Sequence, residues 1–237
     1  MDLLKAGLLR LCSSSIDIRN VLHGREDSVY ELLSKFINEI ELFNAAYGLV
    51  SYKNTDDLVV RHVLDSLAPL GVLIQRCKEK FVFAQTPFLV GDIGSGAGFP
   101  GIPLAIALPQ LHITLIERMH RRAGFLRNVQ AILGIKNISV EESQPEQIPR
   151  EMFQMLTFRA LSPLKDKIIK EFMSLLTPDG FIAAYKGRKK KILEEIAFIN
   201  NACYSHDIIC CNVPFLDEER HILIIEQSDG GVVRGSR

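Results

Sequence analysis

The residues best suited to chemistry form a glycine-rich stretch in the middle of the chain. An apolar run ends at Asp92, and four glycines follow within the eight residues from Gly94 to Gly101. Glycine has no Cβ atom, so the backbone of such a turn can approach a ligand closely and present its N–H groups to it. A turn that binds nothing is disfavoured, because ordering so many glycines costs conformational entropy. We predict that this stretch binds a cofactor through Asp92, Gly94, Ser95, Gly96, Gly98 and Phe99.

Two cofactors are compatible with this stretch. Gly96, Gly98 and Gly101 satisfy the G-x-G-x-x-G pattern of dinucleotide-binding proteins, and Glu117 follows at about the 20-residue spacing of that pattern. The position of Asp92 favours S-adenosylmethionine instead. A carboxylate ahead of the first glycine suits the methionine end of that cofactor, whereas it would repel a pyrophosphate. S-adenosylmethionine is therefore the predicted cofactor, and a nicotinamide-dependent dehydrogenase stays open as an alternative.

A second acid, Glu117, ends the next apolar run along the chain. The carboxyl ends of parallel strands are where ligands bind in open α/β sheets. A carboxylate at this position can accept hydrogen bonds from both hydroxyls of a ribose. We predict that Glu117 binds the ribose of the cofactor.

The elements that must position these residues alternate between short β-rich runs and helices. The predicted strands are Phe88 to Ile93, His112 to Glu117, Asn137 to Glu141, Met155 to Arg159, Phe181 to Lys186, Asp207 to Val213 and His221 to Glu226. The predicted helices are Ile102 to Leu108, Arg121 to Leu133, Leu164 to Leu176 and Lys189 to Asn200, with a turn at Thr177 to Gly180. This alternation indicates βαβ units and a parallel sheet. The last two runs have only a short polar link, so we expect an antiparallel hairpin there.

The first third of the chain is predicted to be helical. Apolar residues recur at helical spacing from Val29 to Phe43, and Gly48 can end that helix. A second helix is predicted from Asp56 to Leu70, with Thr55 as its cap.

These elements together predict an α/β fold of the class I S-adenosylmethionine-dependent methyltransferase type. It is a Rossmann-like domain with a mostly parallel seven-stranded sheet, an antiparallel C-terminal hairpin and an N-terminal helical extension. We assign the extension to residues 1–86 and the Rossmann-like domain to residues 87–237.

The composition is that of a globular protein and argues against a disordered or fibrous one. Lysine plus arginine and aspartate plus glutamate number 28 each, so the formal net charge is zero. Zero charge argues against nonspecific coating of nucleic acid but leaves a local basic face open. The five cysteines form no C-x-x-C pair, so we expect no metal site and a reducing cytoplasm. No stretch approaches the length of a membrane span, so we expect no membrane partner.

The chain resembles the glucose-inhibited division protein B family of bacterial small-subunit (16S) ribosomal RNA guanine-N7 methyltransferases. The glycine turn alone is common to many methyltransferases, whereas its ordered combination with outer motifs is specific. The matching pieces are Arg61-His62-x-x-Asp65-Ser66-Leu67, the stretch Asp92 to Pro103, Arg159-Ala160-x-x-Pro163-Leu164 and Tyr185-Lys186-Gly187. The resemblance covers residues 43–187, which is most of the chain.

The resemblance implies cofactor contacts in three carboxyl-end loops, made by Gly94, Phe99, Pro145, Glu146 and Arg159. It also implies a partner, which is small-subunit ribosomal RNA or the assembling small ribosomal subunit. Two places depart from the family pattern. The loop 142–146 lacks the expected glycine, arginine, alanine and glutamate run, and Gly48 stands where an asparagine is usual. The first departure concerns the loop that would contact the adenine of the cofactor. The second concerns the N-terminal helices that would form one wall of the site.

Candidate substrate contacts lie in two basic clusters and on the second helix. They are His62, Arg121, Arg122, Lys186, Arg188 and Lys189. The clusters begin where predicted strands end, beside the expected cofactor, so a track for RNA phosphates is one interpretation. A solvated helix face is the other. A lone histidine is likewise more often a surface or core residue than a functional one.

Guanine N7 carries a lone pair in the ring plane, so its methylation needs no proton removed before attack. Catalysis can then rest on positioning and electrostatics, without an obligatory general base. The chain lacks the Asn/Asp-Pro-Pro-Tyr motif of amine methylation and a cysteine in a Pro-Cys setting, as this chemistry predicts. A small-molecule methyltransferase is the main alternative. A noncatalytic RNA-binding or assembly protein also remains open.

Overall fold

A computed structural model describes residues 2–81, 87–161, 163–197, 199 and 203–228. The predicted domain boundary after residue 86 and the predicted helix end at Asn200 lie outside the described residues.

Seven strands form one sheet in the order β3-β2-β1-β4-β5-β7-β6. The strands are β1 Phe88–Ile93, β2 Leu111–Ile116, β3 Ile138–Glu141, β4 Phe153–Arg159, β5 Leu176–Lys186, β6 Tyr204–Cys210 and β7 His221–Gln227. The first five pair in parallel, whereas β7 runs antiparallel to both of its neighbours, β5 and β6. This confirms the predicted mostly parallel sheet with its C-terminal hairpin.

Helices cover both faces of the sheet. They are α1 Leu3–Ser14, α2 Ile16–Leu22, α3 Glu26–Tyr47, α4 Thr55–Leu58, α5 Asp65–Leu67, α6 Leu70–Lys80, α7 Gly101–Ala107, α8 His120–Leu133, α9 Asp166–Leu175 and α10 Lys189–Ile196. A π-helical turn, Val59–Leu64, joins α4 to α5, and a 3-10 turn, Pro145–Gln147, follows β3.

The hydrophobic core consists of two clusters separated by the sheet. One packs α7, α8 and the N-terminal helices against one face, and the other packs α9 and α10 against the opposite face. Successive residues of β4 show the division, because Met155 belongs to the first cluster and Leu156 to the second. This follows from the alternation of side chains along a strand. The N-terminal helices therefore share one core with the sheet.

Two local predictions are wrong in detail. Asn54, not Thr55, caps the second predicted helix, because its side-chain oxygen accepts a hydrogen bond from the Asp57 N–H at 2.8 Å. The predicted turn at Thr177 to Gly180 lies inside β5. Leu176 pairs with Phe153 of β4, and the next paired residue of β5 is Phe181, which pairs with Met155. Residues 177–180 therefore form a bulge without partners in β4.

The helix predicted from Asp56 to Leu70 is one helical segment with a π-helical turn in its middle. The Asp65 N–H bonds to the carbonyl of Val60, as well as to that of His62, instead of the carbonyl of Arg61. The Arg61 carbonyl is thus free for another donor. π-turns inside helices occur mostly at functional sites.

The close approach of α1 to this π-turn depends on Gly7. A Cβ atom there would overlap the methyl groups of Leu64, which is fully buried. We expect Gly7→Ala to lower the free energy of unfolding by about 1–3 kcal/mol, measured by urea denaturation, since overpacking forces side chains out of their rotamers.

Gly124→Ala is the matched control, because Gly124 is also helical but has open space around its Cβ position. It should leave stability unchanged or raise it by about 0.5–1 kcal/mol through helix propensity. Equal effects at the two positions would contradict the packing explanation.

Candidate functional site

The glycine turn between β1 and α7 has two parts with different surroundings. Gly94 and Gly96 have positive φ values of 67° and 59° and line a cavity of about 1030 Å³. A Cβ on Gly94 would meet nothing within 4 Å, and one on Gly96 would meet only the Gly94 carbonyl, at 3.7 Å. Gly98, with φ 92°, instead packs against Ile102. The first two glycines therefore expose backbone to the cavity, whereas Gly98 serves packing against α7.

Asp92 lies fully buried beneath this turn. Its Oδ2 accepts a hydrogen bond from the Gly101 N–H at 3.2 Å, and Oδ1 has no hydrogen-bond partner among the described residues. Burial raises the pKa of Asp92 to about 7. Gly101 permits this contact, because a Cβ there would lie 2.6 Å from Oδ2. The Ser95 hydroxyl donates to the Asp92 carbonyl at 2.9 Å, so it stabilises the turn itself.

Glu117 follows β2 and connects it to the glycine turn. The side chain is buried, and its two oxygens accept hydrogen bonds from the Gly96 N–H at 3.0 Å and the Met119 N–H at 2.8 Å. A carboxylate oxygen can accept more than one hydrogen bond, so both retain acceptor capacity. The acid that the sequence predicts as a ribose ligand thus also orders the turn.

Arg159, at the end of β4, joins three separate parts of the chain. Its guanidinium donates to Nδ1 of His62 at 2.7 Å and to the Arg61 carbonyl at 3.3 Å, which the π-turn leaves free. It also lies 3.4 Å from Asp65 Oδ2 and 4.9 Å from the ring centroid of Phe99 in the glycine turn. Burial lowers the pKa of Arg159, opposed by the charge of Asp65. The sequence predicts Arg159, Phe99 and His62 as site residues, and the structure brings them together.

His62 is held in its neutral form. Burial, and then the charge of Arg159, lower its pKa to about 4. Because Arg159 donates to Nδ1, the proton of the neutral ring lies on Nε2, which contacts the Ser51 carbonyl at 3.2 Å. Both ring nitrogens are engaged, so His62 is not free to accept a proton from a substrate.

A second layer of ion pairs connects the N-terminal helices to the segment before β7. Arg220 Nε lies 3.2 Å from Asp65 Oδ1, and Glu218 pairs with both Arg61 and Arg220, at 2.6 Å and 3.1 Å. Sequence reasoning missed Arg220, Glu218 and Ser51, because nothing local signals contacts between residues so far apart in the chain.

The predicted basic residues occupy different environments. Arg121 is exposed at the start of α8, and Arg122 is half-buried beside the Gly48 carbonyl at 3.4 Å. Lys189 is exposed at the start of α10, and Arg188 lines the cavity. The side chain of Lys186 is 7% exposed, and its ammonium group contacts Glu195 at 2.6 Å and the Leu161 carbonyl at 2.9 Å. Its charge is therefore already paired within the chain.

Pro145 and Glu146 do not line the cavity. They lie in the 3-10 turn after β3, where Glu146 is exposed and interacts with Glu171 of α9. Asp92, Gly98 and Glu117 are likewise not among the residues that line this cavity.

The cavity suits S-adenosylmethionine. The turn offers open backbone at two glycines, a buried carboxyl oxygen of Asp92 without a partner and the acceptor capacity of Glu117. Among the described residues, no three histidine, cysteine, aspartate or glutamate side chains gather where they could hold a metal ion. In the same part of the chain, every helix is too short or too polar to span a membrane.

Comparison with known proteins identifies relatives over most of the chain. The family model described as rRNA small subunit methyltransferase G (GidB) matches residues 29–223. A protein of that name from Treponema denticola is 34% identical over 95% of this chain and 96% of its own. One from Treponema pallidum (strain Nichols) is 36% identical over 82% of this chain and 83% of its own. One from Shigella flexneri is 33% identical over 82% and 87%.

Solved structures share the fold at lower identity. The tRNA (m1A58) methyltransferase TrmI from Aquifex aeolicus superposes with a TM-score of 0.52 at 11% identity, covering 70% of this chain and 68% of its own. A SAM-dependent methyltransferase from the same organism gives a TM-score of 0.50 at 15% identity, covering 68% and 91%. The family model and the curated relatives establish that the chain belongs to the rRNA small subunit methyltransferase G family and is an S-adenosylmethionine-dependent methyltransferase.

Proposed function

We propose that this protein transfers a methyl group from S-adenosylmethionine to N7 of a guanine in small-subunit ribosomal RNA. The family description names the small-subunit RNA as the substrate class. The choice of N7 comes from the resemblance of the outer motifs and from the chemistry of the site. The partner is the RNA itself or an assembling small subunit, and the compartment is the cytoplasm.

Most of the predicted cofactor residues stay proposed ligands, whereas Ser95, Gly98 and Arg159 take supporting roles. Bound S-adenosylmethionine supplies an electrophilic methyl group on a sulfonium. Gly94, Gly96 and Phe99 line the cavity. Asp92 lies beneath the turn, and Glu117 accepts a hydrogen bond from the Gly96 N–H. Ser95 and Gly98 order the turn, and Arg159 forms the wall between the cofactor and the acceptor. Pro145 and Glu146 stay proposed adenine contacts, next to β2 and β3.

The choice of N7 as the acceptor rests on the hydrogen bonds of His62. This imidazole lies 5.4 Å from Phe99, centroid to centroid, yet both of its nitrogens are occupied. An exocyclic amine or a hydroxyl loses a proton when it is methylated, whereas guanine N7 attacks through an existing lone pair. A site whose imidazole is fixed as a wall and not as a base suits N7.

The proposed RNA path follows the predicted basic residues at the starts of α8 and α10. Arg121 and Arg122 lie after Glu117 on one side, and Arg188 and Lys189 lie at the start of α10 on the other. Cations at these positions can contact phosphates on both sides of an inserted base. We assign Lys186 a bracing role instead, because its charge is paired with Glu195.

Mapping the methylated nucleotide tests the function. Small subunits from cells lacking the protein are incubated with the protein and labelled S-adenosylmethionine, and their RNA is cleaved reductively at N7-methylguanine. We expect one strand break that coincides with the label and depends on the protein.

Label confined to small molecules would refute the proposal. Retention of full activity and unchanged salt dependence after joint neutralisation of Arg121, Arg122 and Lys189 would favour a small-molecule methyltransferase, since contacts to phosphates release counterions.

Gly96→Asp tests the cofactor site. Aspartate tolerates positive φ better than most residues, so the chain should fold, while the new carboxylate enters the cavity. We expect the affinity for S-adenosylmethionine, measured by calorimetry, to fall at least about a hundredfold, or ~2.7 kcal/mol.

Gly134→Asp controls for backbone strain, because Gly134 has a similar φ of 63° in open space and does not line the cavity. Normal cofactor affinity in Gly96→Asp would show that the turn is misassigned.

Asp92→Asn tests the buried carboxyl. The pKa of Asp92 is raised from 3.8 to about 7 by burial. Between these two pKa values the unfolded chain has released the Asp92 proton and the folded protein still holds it. The free energy of unfolding of the wild type therefore falls as the pH rises through this range. Asparagine does not titrate. The unfolding free energy of the variant relative to the wild type should therefore increase by up to about 4 kcal/mol from about pH 4 to about pH 8. Parallel stability curves in urea denaturation without cofactor would contradict this.

A further inference from the structure

The two ends of the cavity belong to different strands. The glycine turn after β1 lines one end. Residues 185–188 at the end of β5 and residues 217–221 at the start of β7 line the other. In the sheet, β4 lies between β1 and β5, and β7 is the next strand beyond β5. An acceptor that reacts beside Arg159, at the end of β4, therefore has the loops of β5 and β7 on its far side. Neighbouring strands are about 4.8 Å apart, so this far side is roughly 10 Å from β4.

His221 is a buried polar side chain at this far end, with 7% of its surface exposed. It begins β7 and pairs with Lys186 at the end of β5. Its Nδ1 lies 2.7 Å from the Gly187 carbonyl, which can only accept, so Nδ1 carries the proton. In the neutral ring Nε2 is then an acceptor, and no donor within the described ranges bonds to it. The backbone contact thus fixes the tautomer and leaves one lone pair free.

The cation paired with His221 in the sheet and the cation before it in the chain both bond to other acceptors. Lys186 contacts Glu195 and the Leu161 carbonyl, and Arg220 contacts Asp65 and Glu218. Neither of these neighbours is therefore the donor that the free lone pair requires. His221 lines the cavity, so a ligand there that brings a donor can bond to this lone pair.

We infer that His221 recognises the target guanine, its Nε2 accepting a hydrogen bond from the N2 amino group. This inference rests on the proposed function. A guanine whose N7 faces the cofactor turns its N1–H and N2 amino groups to the opposite side, toward the loops of β5 and β7. An adenine has only a C–H group at that place and a lone pair at N1, so it leaves Nε2 unpaired. Sites built to bond a substrate N–H reject analogues that lack it.

The test combines a protein change with a base change. Small-subunit RNA is assembled by ligation with either guanine or inosine at the mapped acceptor position, and is then folded into subunits. Inosine lacks only the N2 amino group. We expect wild-type kcat/KM to be about tenfold or more lower on inosine, the loss of one hydrogen bond. His221→Phe keeps a ring but removes the acceptor, and it should methylate both substrates equally, at the wild-type rate for inosine.

Two measurements separate recognition from a structural role. His221→Gln retains an acceptor and should recover part of the guanine preference, and both variants should bind S-adenosylmethionine as the wild type does. A wild type indifferent to inosine would overturn the inference, as would a guanine preference that persists in His221→Phe. If His221→Phe does not fold, the comparison of the wild type with His221→Gln decides. An undiminished guanine preference in His221→Gln would then overturn the inference. A mapped acceptor other than guanine would overturn the proposed function first.

Discussion

The guanidinium of Arg159 is the interaction on which the site depends. Arg159 is the last residue of the central strand β4. Its guanidinium contacts Phe99 in the glycine turn and His62 and Asp65 in the N-terminal helices. Burying a cation is unfavourable unless charge and hydrogen bonds compensate it. Here a carboxylate, an imidazole nitrogen, a backbone carbonyl and an aromatic face surround the same group. Removing any one of them leaves a charge partly unsatisfied, so the three segments are held as a unit.

The π-turn explains why a helix can supply so many of these contacts. In a regular α-helix the Arg61 carbonyl would accept from the Asp65 N–H, and Arg159 would have to compete for it. In the π-turn the Asp65 N–H bonds instead to the carbonyl of Val60, five residues earlier, so the Arg61 carbonyl can accept from Arg159. The irregularity therefore converts a structural helix into one wall of the site. Local departures from regular geometry of this kind are often found where a binding site needs an additional polar atom.

The fold was more predictable from the sequence than the site. The alternation of apolar runs predicted the parallel sheet, and the glycine turn with Asp92 and Glu117 predicted the cofactor end, because these signals are local. The family resemblance selected Arg159 and His62, but nothing local placed Ser51, Arg220 or Glu218 beside them. The basic run around Lys186 was also ambiguous, since burial against Glu195 depends on how α10 packs on β5. Basic residues that are adjacent in the sequence can thus differ in the structure. Here the side chain of Lys186 is paired in the interior, whereas Arg188 and Lys189 are exposed.

The order of strands separates two tasks that share one cavity. The carboxyl ends of β1 and β2 present glycine backbone and carboxylates, groups suited to an amino acid and a ribose. The ends of β5 and β7 meet at Lys186 and His221, on the other side of Arg159. Because β7 runs antiparallel, its first residue lies at the same edge as the last residue of β5. The hairpin that closes the sheet therefore adds a side chain to the acceptor end without lengthening any parallel strand.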